Sequence, residues 1–267
     1  MRNVAKSLKI SERSVRCIVR DKLRLTSCRK TTGHYLLDRM KQQRKEKCAK
    51  MLAVAERRGI RRVLFTDEKV FSIEPVRNRQ NDRVIRKVGS PRSVEFARSH
   101  FPAKSVMVWA GVCSTGKTKL IFVEKGVKIN SKIYQDAILK AEVARFAEEH
   151  FKNDNWILQQ DWAPAHGSKS SMEVARQICP MMWGKNYWPS NSPDLNPMNF
   201  AIWGMLEKEV SRIRHMTLES LRRSLERAWD RISDKVLAAT TQNFVKRLRA
   251  CIRANGGHFE QNLKNMK

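Results

Sequence analysis

Two short apolar runs, VLFTD at 63–67 and WILQQD at 156–161, each close on an aspartate. Short apolar runs bounded by polar residues read as buried strands, so the chain is built around a sheet whose strand ends carry acid. Val63, Leu64 and Phe65 make the first strand, ending at Asp67, and Val70, Phe71 and Ile73 start a second. RVIRKV at 83–88 reads as a third, and SVMVWAGVCSTGKTKLIFVE as a hairpin of two long strands turning at Ser114 to Lys117. SKIYQDAILKAEVARFAEEHF then has Ile133, Ala137, Ile138, Ala141, Val143 and Phe146 near helical spacing, and NWILQQD follows as another strand. From Leu218 to Arg253 the chain reads as helical, with Leu221, Leu225, Trp229 and Ile232 on one face. Strands first, then alternating helix and strand, predict an α/β fold with a mixed sheet flanked by helices.

Carboxylates at the ends of neighbouring strands suit hard divalent cations, which take oxygen ligands and need negative charge to displace water. Two such ions about 3.5 to 4 Å apart activate the attacking oxygen and stabilise the leaving oxygen of a phosphodiester. A single aspartate after a strand is more often a turn residue, so the pair gains meaning only from its surroundings.

Charge narrows the partner. The 267 residues hold 54 Lys and Arg against 26 Asp and Glu, a net charge of +28. Such an excess points to a polyanion, with nucleic acid first and an anionic membrane surface second. No apolar run approaches the ~20 residues of a transmembrane helix, and MRNVAKSLKI lacks the apolar core of a signal peptide, so an intracellular chain is expected. Cys17, Cys28, Cys48, Cys113, Cys179 and Cys251 form no CxxC pair, which removes zinc spacing and a disulfide framework.

The first 62 residues carry 20 basic against 5 acidic side chains, a net +15, leaving +13 for the other 205. Here RNVAKSLK and SERSVRCIVR read as two short helices, the second capped by Ser11, with Val15, Ile18 and Val19 inward and Arg13, Arg16 and Arg20 largely outward. Two such helices with a tight turn suggest a partial helix-turn-helix, with its basic second helix for the DNA major groove, though one helix short of the usual three. A polar connector with Arg29, Lys30 and Gly33 leads to DRMKQQRKEKCAKMLAVAERRG, a basic helix stopped by Gly59. Its face reads as mainly solvated, adding non-specific phosphate attraction. The expected division is 1–33 for the DNA-binding region and linker, 34–60 for a basic connecting helix and 61–267 for the catalytic domain.

FTDEKVFSI, LQQDWAPAH and WPSNSPDLNPMNFAIWGMLEKEV, in this order over about 150 residues, closely resemble the three catalytic blocks of the Tc1/mariner transposases, members of the DDE superfamily. The basic front resembles the second helix-turn-helix of that family's paired DNA-binding region, so the chain looks N-terminally truncated. The resemblance implies an RNase H-like fold and a nuclear protein that binds terminal inverted repeats of double-stranded DNA, possible as a homodimer. It implies metal-dependent cleavage and strand transfer with Mg²⁺ or Mn²⁺, Asp67 and Asp161 matching the first two ligands. The third acidic position falls on Asn199, with 37 residues between it and Asp161, a gap similar to mariner-like relatives whose third ligand is Asp.

A carboxamide offers one neutral oxygen to a cation and turns a donor toward it. An incomplete two-ion site and impaired catalysis follow as expectations. Asp194, five residues upstream, is a possible substitute, with a turn role the stronger reading; Glu207 and Glu209 lie too far along the helix, and Glu68 is expected to point elsewhere. His166 is equally consistent with contact near the scissile phosphate and with a structural place at a helix start. Trp162 stands where the family usually has a small residue and is expected to narrow the cleft or lie harmlessly on the surface. Trp109, Trp188 and Trp203 read as core aromatics, and Lys185 and Asn186 suit DNA contact or solvent alike. A non-catalytic DNA- or partner-binding protein is the alternative; an RNase H-type nuclease on RNA–DNA hybrids is disfavoured by the helix-turn-helix remnant and the SPDLNP block.

Overall fold

The computed structural model describes residues 2–25, 35–73, 104–123, 130–152 and 155–265. RVIRKV, Cys28, Arg29 and Lys30 lie outside the described residues. Two compact units are present, Met1–Tyr35 and Leu36–Lys267.

In the first unit, α1 (Arg2–Leu8) is followed by α2 (Glu12–Cys17), which runs on through one π-type turn, Ile18–Lys22. Ser11 caps α2 by accepting the Ser14 amide, as its position suggested. The expected inner stripe is only partly realised: Val15 is buried, Val19 is half-buried and Ile18 is exposed. Two short helices have too little apolar surface to bury a whole stripe.

The second unit is a six-stranded sheet with a core on each face. Helix α3 (Asp38–Arg58) comes first; it buries Arg44, Cys48, Met51, Val54 and Ala55 along one stripe and ends at Gly59, whose φ of 72° fits the residue that terminates a helix. The sheet is ordered β3-β2-β1-β5-β6, with β4 also on β2. Its strands are β1 (Val63–Ser72), β2 (Ser105–Cys113), β3 (Gly116–Lys117), β4 (Ile121–Val123), β5 (Ile157–Gln159) and β6 (Met181–Trp183). β1 is antiparallel to β2 and parallel to β5, and β5 is parallel to β6.

Alternation along the strands separates the cores. Val63 and Phe65 of β1, with Val108, Ala110 and Val112 of β2, face one core; Leu64, Trp109 and Cys113 face the other. The first core is closed by α3 and by three later helices, α7 (Trp203–Val210), α8 (Leu218–Asp230) and α9 (Asp234–Arg253). The second is closed by α4, a helical run over 131–151, and by α6 (Lys169–Ile178), which follows the short α5 (Pro164–Gly167).

Two strand expectations need correction. β1 does not stop at Asp67: β2 pairs with it from Phe65↔Val112 to Ser72↔Ser105, so the polar DEK stretch is held in the middle of one strand. The second arm of the hairpin is broken into β3 and β4. There Lys117 donates to the carbonyls of Trp229, Asp230 and Ile232 at the end of α8, and Thr118 Oγ1 takes the Gly111 amide, so the chain serves α8 and β2 instead of a continuous ladder.

Candidate carboxylate site

The parallel register pairs Val63 with Ile157. Carried four residues on in each strand, it brings Asp67 level with Asp161, and one oxygen from each of Asp67, Glu68 and Asp161 lies within 4.8 Å of the others. Glu68 therefore belongs to the cluster, contrary to its expected direction. His166 reaches it from α5 and draws it in, with Nε2 3.1 Å from Glu68 Oε1.

His166 Nδ1 is also 2.7 Å from Asp161 Oδ1, which accepts the Ala163 amide as well. Both ring nitrogens face carboxylate oxygens, so both donate, and a doubly protonated imidazole carries a charge. Burial opposes that charge, but the hydrogen bonds to Asp161 and Glu68 outweigh it and raise the His166 pKa to about 9. Burial also opposes ionisation of Asp161, yet His166 and the Ala163 amide hold its carboxyl below the ordinary value. The ring lies against Tyr134, centroids 4.1 Å apart, and Tyr134 donates its hydroxyl to Gln160, one residue before Asp161. His166 is 3 % exposed, which favours the structural of its two readings.

On the other side of the cluster, Asp67 Oδ2 accepts the Asn199 side-chain amide and the Trp203 indole N–H, each at 2.6 Å. Asn199 arrives there because Asn196 anchors the loop. Its side chain donates to the Thr66 carbonyl and accepts the Met198 amide, starting the turn Met198–Ile202 that leads into α7. Burial pushes the Asp67 carboxyl up to about 7, helped by Glu68 and Asp161, while the Trp203 and Asn199 hydrogen bonds pull the other way. Trp203 is buried as expected of a core aromatic, but its donor role at Asp67 was not foreseen.

Asp194 is not in the cluster. It forms a two-point ion pair with Arg44, Nη1 to Oδ1 at 3.0 Å and Nη2 to Oδ2 at 2.8 Å, inside the first core. Arg44, 1 % exposed, also donates to Ser192 Oγ and to the Gly256 carbonyl. Gly256 has φ 77° and passes so close that a Cβ would meet the Lys41 carbonyl oxygen at 1.9 Å. Glu207 pairs with Lys69 and Glu209 with Arg212, away from the three acids. Trp109 and Trp188 are buried; Lys185 and Asn186 are exposed. In the first unit Arg13 is exposed, while Arg16 and Arg20 make surface pairs with Glu12 and Asp21, contacts typically worth about 0.2–1 kcal/mol.

The oxygen spacing fits one hard divalent cation, whose ligands stand about 2.0 to 2.6 Å from the metal. The Asn199 carboxamide adds a neutral donor to the same cluster, at Asp67 Oδ2.

An RNase H-like fold is the class with which this architecture is consistent. No family model matches the chain. It is 28% identical over 195 residues to the Tc1 transposase of Caenorhabditis elegans, covering 72% of this chain and 68% of that one. With the Mos1 mariner transposase of Drosophila mauritiana it shares 20% identity over 265 residues, 97% of this chain and 74% of the relative. The Mos1 mariner paired-end complex with Mn superposes with a TM-score of 0.81 over 96% of this chain and 74% of that one, at 20% identity. These likenesses support a Tc1/mariner transposase as what the chain most resembles.

Proposed function

We propose that the chain binds transposon-end DNA as a mariner-like transposase of DDE type and that its metal-dependent cleavage and strand transfer are impaired. The observation that carries the second half is the Asn199 amide donating to Asp67 Oδ2 at 2.6 Å: a donor fills the place where a third carboxylate would add charge. Asp67, Glu68 and Asp161 are the residues suited to hold Mg²⁺ or Mn²⁺, and the resemblance to a paired-end complex solved with Mn supports that choice of ion. When bound, such a cation supplies Lewis-acid polarisation of the phosphodiester and activation of the attacking oxygen. The chain's own side chains act on the ligands. Trp203 and Asn199 keep one oxygen of Asp67 engaged, and His166 fixes Asp161 and Glu68 while cancelling part of their charge.

DNA binding is supported by the net charge of +28 and by the exposed Arg13, Arg16 and Arg20. Among the described residues no helix is long and apolar enough to cross a membrane. Action on chromosomal DNA implies a nuclear location.

The test is a nicking assay on terminal-repeat duplex with Mg²⁺ or Mn²⁺, native against Asn199→Asp. The native chain is expected to cut weakly or not at all and the variant to gain activity; robust native cutting refutes impairment. Asn199 equally favours a second reading, a transposase-derived protein that only binds DNA or a partner. That reading predicts salt-sensitive DNA affinity with no cleavage by either form.

A further inference from the structure

Beside Asp161 the surface carries an arrangement of positive charge that the carboxylate cluster does not use. Lys47 of α3 donates its ammonium to the carbonyls of Lys185 and Trp188, at 2.8 and 3.3 Å. The same nitrogen stands 4.4 Å from the centre of the Trp162 ring, and Lys185 Nζ stands 5.5 Å from it. The indole is itself pinned, donating Nε1–H to the Trp188 carbonyl at 2.8 Å. Lys50 stands one helical turn beyond Lys47 on α3 and is exposed, which puts a third ammonium on the same side of the helix; burial first, then Lys50 and Lys185, lower the Lys47 pKa. Among the described residues none of these three lysines is paired with a carboxylate.

Like charges held together cost free energy, and here two carbonyls and an aromatic face offset that cost in place of acids. A group of cations organised this way and left without an internal counter-charge suits an anion supplied from outside. Its position identifies the anion. Trp162 follows Asp161 in sequence, and a cavity of about 590 Å³ is lined by Asp161, Trp162 and Lys185 together. Trp162 remains 37% exposed, which leaves part of its surface to contact a sugar or base.

We propose that Lys47, Lys50, Lys185 and Trp162 form a subsite on the rim of the carboxylate cluster that grips the DNA phosphodiester backbone next to the reacting bond. The assignment rests on the DNA-binding reading above. In it the bulky residue after Asp161 is neither a plug nor a bystander: its ring and its N–H contact hold Lys47 in a fixed place, so less freedom is lost when a phosphate arrives.

The experiment measures binding of a fluorescent duplex by the whole chain in EDTA, across a salt series, so that catalysis and metal affinity do not enter. The variants are Lys47→Gln/Lys50→Gln/Lys185→Gln, Trp162→Gly, and a charge-matched control on other elements, Lys119→Gln/Lys152→Gln/Lys235→Gln. Each phosphate contact contributes roughly 0.9 to the salt slope, so the first variant is expected to flatten it by about 2 to 3 and weaken binding at least ~10-fold relative to the control. Trp162→Gly is expected to weaken binding by about two- to fivefold through loss of the cation–π contact.

Equal slopes and affinities for the lysine variant and its control, with the native chain still binding DNA, overturn the subsite and leave the DNA-binding reading standing. Tighter binding by Trp162→Gly also overturns it, marking the indole as an obstruction. Displacement of DNA by millimolar inorganic phosphate at constant ionic strength overturns the assignment to a DNA backbone. If the native chain binds no duplex at all, the broader reading fails and the subsite with it.

Discussion

Asn199 and Asp67 are joined by a 2.6 Å hydrogen bond from carboxamide nitrogen to carboxylate oxygen. Across that contact a neutral carboxamide gives the neighbouring acid a donor and adds no charge to it. An aspartate at 199 would place a second carboxylate against Asp67, which only a cation or a proton could reconcile.

The pH dependence follows from two raised pKa values. Asp67 is raised to about 7 in the fold, so its contribution to stability is complete below its ordinary value of 3.8 and disappears as pH rises through about 7. His166, raised from 6.5 to about 9, contributes fully below 6.5 and loses its contribution as pH rises through about 9. Asp161, held low, acts oppositely and loses its contribution only as pH falls below its ordinary range. Chemical denaturation without metal is therefore expected to show falling stability from about pH 4 to 9. His166→Gln should abolish the decline above neutrality and leave the acid-side part; an unchanged upper limb would show that the imidazole is not charged.

Metal affinity should rise with pH in the same lower window, because a cation competes with the proton on Asp67. Titration with Mn²⁺ between pH 5 and 8 is expected to show affinity climbing to about pH 7 and then levelling. Asp67→Asn should lower affinity and remove the climb.

Trp203→Phe tests the indole donor. The ring stays apolar and meets Phe71 edge-on at 5.9 Å, so the packing cost should be modest, on the order of 1–2 kcal/mol. Loss of the N–H removes the largest force lowering the Asp67 pKa. The expected result is a further upward shift of the Asp67 titration, read by carboxylate NMR, with weaker Mn²⁺ binding at neutral pH. An unmoved titration would show that the 2.6 Å contact does not act on the carboxylate.

Asp194→Asn separates scaffold from ligand. Removing the charge leaves Arg44 buried without its counter-ion, which costs about 3–5 kcal/mol when a buried pair is broken. Thermal unfolding should fall markedly while Mn²⁺ stoichiometry in the folded protein is unchanged. Loss of a bound ion would instead make Asp194 a ligand.

The backbone of the site was legible in the sequence, its charge balance less so. Asp67 and Asp161 announced themselves as acids after apolar runs, and their strands pair in parallel up to Phe65 and Gln159, two residues before each, with the two carboxylates in one cluster. SPDLNP announced a turn before a helix, and Asn196 with Met198 builds it. Glu68, His166 and Trp203 were misjudged or underrated because the Glu68–His166 and Trp203–Asp67 contacts join residues 98 and 136 positions apart, which no local pattern specifies. Arg44 was hidden among the surface cations of its own helix; its partner Asp194 is 150 residues distant, and only the packing of α3 shows that one arginine of that basic run is buried.

Calorimetric titration of Mn²⁺ into the native chain and Asn199→Asp, at one pH above 7, tests the central claim most directly. The account predicts one weakly held ion in the native protein and, in the variant, a gain in affinity of about 10- to 100-fold or a second ion. Equal stoichiometry and equal affinity in the two proteins would contradict it and remove Asn199 from the site.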